Sequence, residues 1–582
     1  MSRLLLASLL TAALLPTLPA QTALRGVNIA GAEFGEGTLP GELDRHYTFN
    51  SEPTFAYFPE QGLPLLRVPI RWERIQPELF GPLDANYLFR LTENITWARN
   101  HGGRVIIDVH NYGRYKINGS EFILDTRYNG EIRVPSEALS DLWVRLAAEF
   151  GDNPGVYGYG LMNEPHDMGP VDWKAISQEV VTAIRNTGDT KAIFIGGDSW
   201  SSAERWVLIH GADSWINDPA DNFYYEAHLY FDEDASGRYF LSYDQERARN
   251  PNLDQIGPER LHPFRTWCAN NEVRCFVGEY GIPNNDDRWL TVLDNLLTAM
   301  DQANMAGTYW AAGDWWGGYA LSVQPENGEP KRQLATLQAH KGPAFATSVS
   351  AASSGEGALP SDSLASAYGS DFTDQVVAAS TVPLPTELGG VRLDIVLPDE
   401  QTRPAELVFV SPGQINYLLP GNLPAGPAEL RIYRNGQLLA IEPITIAAVT
   451  PGLFAANGRG TGAPAGQIMH VAEGGARDFE LLADYNEATA TFTPRPIAFR
   501  DASERIFLIL YGTGFRHFSG ETSVRFNNGL TVPAAFVGAQ PDYPGLDQVN
   551  VEIPRTLAGT GSNTLTVTID GKTSNELIIQ LN

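Results

Sequence analysis

Tyr157-Gly158-Tyr159-Gly160-Leu161-Met162-Asn163-Glu164-Pro165 is an apolar run that stops at an amide, a carboxylate and a proline. It reads as a strand buried on both faces that leaves the sheet interior at its C-terminal end, as parallel strands do. A second run, Val273 to Val277, ends in the same manner at Gly278-Glu279-Tyr280-Gly281, which places Glu279 115 residues after Glu164. Each run delivers one glutamate to a strand end.

Working outward, six further strand-like segments occupy the same region: Leu24 to Ile29, Pro64 to Pro69, Arg104 to His110, Ala192 to Gly196, Phe223 to Leu229 and Gly307 to Trp310. Amphipathic stretches such as Leu139 to Phe150, Trp173 to Asn186 and Leu290 to Ala303 lie between them. Eight strand-plus-helix units over residues 24–336 predict an α/β fold, the (β/α)8 or TIM barrel, whose chemistry sits at the C-terminal strand ends. Two carboxylates at that rim are the minimum equipment for cleaving a glycosidic bond, one protonating the leaving oxygen and the other attacking or assisting at the anomeric carbon.

The remaining composition fits that reading. A chain of 582 residues exceeds one compact core and predicts a multidomain protein. Its net charge of −28 opposes binding to nucleic acid or anionic lipid and leaves a neutral polymer unrepelled. Met1-Ser2-Arg3, an apolar run from Leu4 to Leu15, and Pro16, Pro19 and Ala20 before Gln21 read as a secretory leader over residues 1–20. The run falls short of the roughly 20 residues that a membrane span needs, so an exported protein with no membrane association after cleavage is expected. The two cysteines, Cys268 and Cys275, form either a small disulfide loop or two buried free thiols, and lack the partners of a metal site.

Other strand ends carry polar and aromatic groups: Arg67, then His110-Asn111-Tyr112, then His228 and Tyr230, then Trp310. Any one of them could be a packing residue or a buried ion-pair partner; packing alone gives no reason for all of them to collect at one rim. In order, these residues with Asn163-Glu164 and Glu279 closely resemble the marks of glycoside hydrolase family 5, the (β/α)8 endoglucanases and their relatives. Gly26-Val27-Asn28-Ile29-Ala30-Gly31 and Trp310-Ala311-Ala312-Gly313-Asp314-Trp315-Trp316 add to the likeness, which covers residues 24–336.

The resemblance implies a retaining endo-β-1,4-glucanase, with Glu164 as acid/base and Glu279 as nucleophile. Arg67 and Tyr230 would keep Glu279 ionised, and His228 would stand beside Glu164. Asn163 would bind the sugar 2-hydroxyl, His110 and Asn111 would support the site, and Trp310 would give a sugar ring a flat face. Trp316 is the best further sugar wall, with Trp72, Trp200 and Trp315 as others. No metal or organic cofactor is implied. The expected partner is a β-glucan polysaccharide or oligosaccharide, bound by a monomeric protein. Mannanase, mixed-linkage glucanase and xyloglucanase are alternatives within the family, and a non-catalytic polysaccharide-binding barrel is the alternative outside it.

After residue 340 the pattern changes to short alternating runs, with hairpin signals at Asn435-Gly436 and Asp570-Gly571. Tyr368-Gly369 with Phe372 is echoed by Tyr511-Gly512 with Phe515, and Gln414-Ile415-Asn416 by Gln548-Val549-Asn550. This internal repeat predicts two related all-β modules. The segment also resembles a C-terminal domain family of exported proteins from Solibacter-type soil bacteria, through Phe409-Val410-Ser411-Pro412-Gly413-Gln414-Ile415-Asn416 and Pro451-Gly452-Leu453-Phe454. That likeness implies immunoglobulin-like sandwiches. The expected organisation is a leader at 1–20, the barrel at 21–340, a linker at 341–347, a first sandwich at 348–455, and a connecting stretch with a second sandwich at 456–582.

Overall fold

A computed structural model describes residues 23–527 and 529–582. The leader expected over residues 1–20 lies outside the described residues. The chain divides between Ala344 and Phe345 into two compact units. Among the described residues, no helix is long and apolar enough to cross a membrane.

The first unit is a closed barrel of eight parallel strands. In chain order these are β1 (Arg25–Ile29), β2 (Leu65–Ile70), β3 (Arg104–Val109), β4 (Val156–Gly160), β5 (Ala192–Gly196), β6 (Phe223–His228), β7 (Cys275–Tyr280) and β8 (Ala306–Ala312). Each strand pairs with its chain neighbours, and β1 pairs with both β2 and β8 to close the ring. The strands are buried almost throughout, as expected when helices cover the outer face and side chains fill the inner one. At Gly26 a side chain is excluded, because a Cβ would lie 1.6 Å from the Leu65 carbonyl oxygen; the absence of one lets β1 close on β2.

The helices owe their places to caps and apolar stripes. Asp84 accepts hydrogen bonds from the Asn86 and Tyr87 amides at the start of helix Ala85–Asn100, and Asp172 accepts one from Ala175 at the start of Trp173–Asn186. The latter helix buries Trp173, Ile176, Val180, Val181 and Ile184, a stripe of period 3.6 laid on the barrel. Cys268, near the end of helix Ile256–Asn271, is disulfide-bonded to Cys275 at the first position of β7. The bond ties the strand that carries Glu279 to the helix before it.

The second unit contains two pairs of largely antiparallel sheets, each pair with its own apolar core, and a separate two-stranded hairpin of Ala483–Asn486 and Thr491–Pro494. The first pair includes Leu364–Tyr368 and Gln414–Leu418 in one sheet and Val391–Val396 and Gly426–Arg434 in the other. The second includes Arg505–Thr513 and Asp547–Glu552 in one sheet and Thr522–Phe526 and Gly561–Ile569 in the other. The sequence repeat has matching register: Tyr368 lies opposite Gln414, and Tyr511 opposite Gln548. In both copies the glutamine side chain donates to the asparagine two residues on, at 2.7 Å for Gln414 to Asn416 and 2.8 Å for Gln548 to Asn550.

Two expected boundaries differ. Residues 341–347 include strand residues Ala344–Phe345 and the start of Thr347–Ser350, because Ala346 enters the core of the first sheet pair. The stretch after residue 456 is more than a connection: Gly466–Val471 pairs with Arg505–Thr513 along six positions and buries Ile468 in the second core. Its alternation is masked in the sequence by the glycine-rich and charged segments on either side.

Closing so short a loop, the disulfide contributes about 2–3 kcal/mol by the chain-entropy estimate. The doubly substituted C268A/C275A protein is therefore expected to unfold at lower temperature in its barrel transition, as read by calorimetry. Both cysteines are fully buried, so mild reductant should leave the native protein's transition unchanged.

Candidate active site

At the C-terminal end of the barrel, one guanidinium organises the site. Arg67 on β2 is completely buried. Its Nη1 donates to Asn28 Oδ1 at 2.9 Å and to Glu279 Oε1 at 3.2 Å. Nη2 donates to Asn163 Oδ1 at 2.7 Å and lies 2.9 Å from Asp108 Oδ1. Nε lies 3.0 Å from Glu226 Oε1. Burial alone would make the guanidinium easier to deprotonate; Asp108, Glu226, Glu279 and Glu164 outweigh it and hold the charge more firmly than usual.

The hydrogen-bond chemistry then fixes the neighbours. An arginine only donates, so the Asn163 atom facing it is the carbonyl oxygen, and the amide nitrogen is left to face His110 Nε2 at 3.2 Å. That ring nitrogen must accept, which puts the proton on Nδ1, 2.9 Å from Asp108 Oδ2. Burial drives His110 down to about 3 and so keeps it neutral, while it pushes Asp108 up to about 7 against the pull of Arg67.

The two glutamates have different surroundings. Glu279, nearly buried on β7, receives Arg67 on one oxygen and the Tyr230 hydroxyl on the other at 2.7 Å. Glu164 follows β4 in the left-handed backbone region, at φ 43°, and is the more exposed of the two. Its Oε1 lies 2.7 Å from His228 Nδ1, whose other nitrogen, Nε2, lies 3.2 Å from Glu226 Oε1. Burial opposes a charge on His228, but Glu279, Glu164 and Glu226 together raise it to about 10. One oxygen of Glu164 and one of Glu279 approach within 4.8 Å. Burial also raises Glu279, with the like charge of Glu164 adding to it and His228 and Arg67 opposing. A proton on Glu164 removes that repulsion, so protonation of one carboxyl favours ionisation of the other.

Aromatic groups line the same rim. Trp310, on β8 with a cis peptide to Ala311, stacks on His110 with centroids 5.6 Å apart and planes at 14°. Trp316 stands edge-on to Trp310 at 6.0 Å and stacks on Tyr319. Trp200, 44% exposed, stacks on His166 at 4.5 Å, and Trp315 is 41% exposed. Trp72 is fully buried with its indole N–H on Gln76, so it offers no sugar wall. Asn111 follows β3 but is bonded to the segment beyond β2: its amide donates to Glu73 at 2.7 Å and its carbonyl accepts from the Trp72 amide at 2.9 Å. None of its hydrogen bonds reaches the carboxylate pair.

Sequence reading gave no role to three buried members of the network, Asn28, Asp108 and Glu226. A signal was present: Asp108 and Glu226 each precede a histidine by two residues, the spacing that puts both side chains on one face of a strand.

The model of the family "Cellulase (glycosyl hydrolase family 5)" matches residues 26–315, inside the barrel unit. Endo-beta-1,4-glucanase B of Emericella nidulans is 32% identical over 320 residues, which are 54% of this chain and 90% of that protein. Endo-beta-1,4-glucanase A of the same fungus is 32% identical over 332 residues, 56% of this chain and 94% of that protein. Among solved structures, the Pseudomonas stutzeri endoglucanase Cel5A in complex with cellobiose is 38% identical, with a TM-score of 0.50 over 56% of this chain and 94% of that one.

A histidine that binds its proton more tightly when folded lends stability that is complete below its unfolded value of about 6.5. For His228 that contribution is lost as pH rises through about 10. The stability difference between the native protein and His228→Gln should therefore shrink from about pH 7 to pH 10, by at most about 1.4 kcal/mol per pH unit. Thermal unfolding of both proteins across that range is the measurement, and a constant difference contradicts the assignment.

Proposed function

The chain belongs to glycosyl hydrolase family 5, and from that premise we propose that it is an exported, retaining endo-β-1,4-glucanase with Glu164 as acid/base and Glu279 as nucleophile. The observation that carries the reading is the carboxylate pair, two oxygens within 4.8 Å with unequal partners. Carboxyl oxygens this close leave no room for a water between carboxylate and anomeric carbon, and so suit direct attack and retention.

The reaction follows from the geometry. Glu279 Oε bonds to the anomeric carbon while the glycosidic C–O bond breaks and its oxygen takes the Glu164 proton. Arg67 and Tyr230, both donors to Glu279, stabilise the free carboxylate and orient its attacking oxygen. In the second step Glu164, now ionised, removes a proton from water as that water attacks the anomeric carbon and Glu279 departs. Asn163 has one amide N–H on His110 and a second free to meet the sugar 2-hydroxyl, a contact that strengthens in the transition state. Trp310 offers its face to a sugar ring, Trp316 beside it adds a further apolar wall, and Trp200 on His166 gives another.

We take the two sheet pairs of the second unit as immunoglobulin-like sandwiches that act as a spacer. Of its exposed aromatics, Tyr485 and Phe492 pack on each other across one hairpin, while Phe479, Phe536 and Tyr543 lie on other strands and loops. Export is supported by the leader-like first twenty residues.

Glu164→Gln and Glu279→Gln should each lower kcat on carboxymethylcellulose by about a thousandfold or more with the fold intact. Proton NMR of the first-formed product should show the β anomer. Activity of Glu279→Gln near the native level, or an α-anomeric first product, contradicts the reading. A parallel assay on glucomannan, barley β-glucan and xyloglucan ranks the substrates.

A further inference from the structure

Glu226 is a buried carboxylate that presents the same oxygen to both cations of the site, whereas Glu279 meets them with separate oxygens. It lies on β6 two residues before His228, so both side chains point into the barrel. One of its two oxygens, Oε1, is both 3.0 Å from Arg67 Nε and 3.2 Å from His228 Nε2. The space it fills is kept open by Gly278 on β7, where a Cβ would come within 2.0 Å of that same oxygen. Glu226 touches neither the expected bond-breaking oxygen nor the anomeric carbon, since it lies behind His228.

We propose that Glu226 is a positioning residue for the acid/base: it keeps the Nε2 proton on His228, so that the ring's one exchangeable proton sits at Nδ1, shared with Glu164. The inference rests on the reading of Glu164 as acid/base. Two arrangements satisfy the Glu164–His228 hydrogen bond of 2.7 Å. Either Nδ1–H donates to an ionised Glu164, or a protonated Glu164 donates to Nδ1. One proton moves within one hydrogen bond, and Nε2–H donates to Glu226 in both. A bare Nε2 would instead set a lone pair against a buried carboxylate oxygen, leaving both unsatisfied. The same logic gives a triad aspartate its hold over its histidine.

The other charges around the ring agree. Glu279 Oε2 lies 3.6 Å from Nδ1, and Arg67 faces the ring through Glu226 and Glu279. Asp108, next to Arg67, acts at longer range. Arg67 holds Glu226 below the usual carboxylate range despite its burial, so the acceptor for Nε2–H remains an anion.

Glu226→Gln preserves shape and an oxygen while removing the charge. A charge this close shifts a neighbour by about one pH unit or more, so the basic limb of the kcat/KM profile should move down by about that amount. On carboxymethylcellulose kcat should fall about 10- to 100-fold with KM within about threefold, the range of acid–base contributions. The loss should shrink on 2,4-dinitrophenyl β-cellobioside, whose leaving group needs no proton. A folded variant with an unmoved basic limb, or with equal losses on both substrates, overturns the proposal. If the variant does not fold, 15N-histidine NMR of the native protein decides: Nε2 of His228 should stay protonated from about pH 5 to 8, spanning the usual histidine range, and a bare Nε2 overturns it. An inactive native protein would overturn the glucanase reading instead, and the NMR measurement would still test the Nε2 proton.

Discussion

A fully buried guanidinium is the constraint around which the barrel's upper end is built. Taking such a cation out of water costs several kcal/mol unless its hydrogen bonds and charge are matched, so its surroundings are not free to vary. Arg67 meets partners from β1, β3, β6 and β7 and from the end of β4, through Asn28, Asp108, Glu226, Glu279 and Asn163. The acids occupy positions that would otherwise hold neighbouring side chains. A Cβ at Gly278 would overlap Glu226, and one at Gly160 would come 2.9 Å from Asp108 Oδ1. Glycines in two barrel strands are thus the steric counterpart of two buried carboxylates: Gly160 lies directly opposite Asp108, and Gly278 falls where the register of β6 against β7 shifts.

The barrel was legible in the sequence because its strands are apolar on both faces and end abruptly. Seven of the eight expected segments begin or end within one residue of the observed strand, and Ala192–Gly196 is the same at both ends. Glu164, Glu279, Arg67, His110, His228 and Tyr230 were legible because polar groups at such ends have no packing role. The acids two residues earlier were not. Asp108 and Glu226 lie inside the runs, where a charged residue reads as an irregularity in a strand until the partner that neutralises it is seen across the barrel. Asn111 shows the opposite error. It adjoins His110, but consecutive residues at a strand end diverge, and its amide turns to Glu73.

The second unit was legible through its repeat rather than through periodicity. A motif such as Gln414-Ile415-Asn416 carries little information alone. Its meaning comes from the partner strand, where Gln414 faces Tyr368 as Gln548 faces Tyr511. Gly369 and Gly512 serve one purpose in both copies: a Cβ at either would lie 2.6 Å from the ring of the phenylalanine three residues on. Tyr-Gly followed by Phe is therefore a packing unit, in which the ring folds back over the glycine at the strand end. Gly466–Val471 has no sequence echo to announce it, so the sequence reads as a connection there.

The two histidines explain how one cluster can hold opposite carboxylate roles. Each stands in a row of acceptor and donor, but the rows end differently. His110 lies between Asp108 and an amide that only donates to it, so it has one proton and stays neutral. His228 lies between two carboxylates, so both nitrogens find acceptors and the ring takes a second proton. The charge on Arg67 is already shared among four acids, and the imidazolium supplies the second cation that such a group of carboxylates requires. Because that cation reaches Glu164 through a single movable proton, Glu164 gains a donor that can follow its change of state. Glu279 is held instead by Arg67 and Tyr230, and burial raises the hydroxyl of Tyr230 well above the usual phenol range. One carboxylate thus faces a proton that can move and the other faces donors that keep theirs, and this asymmetry separates an acid/base from a nucleophile.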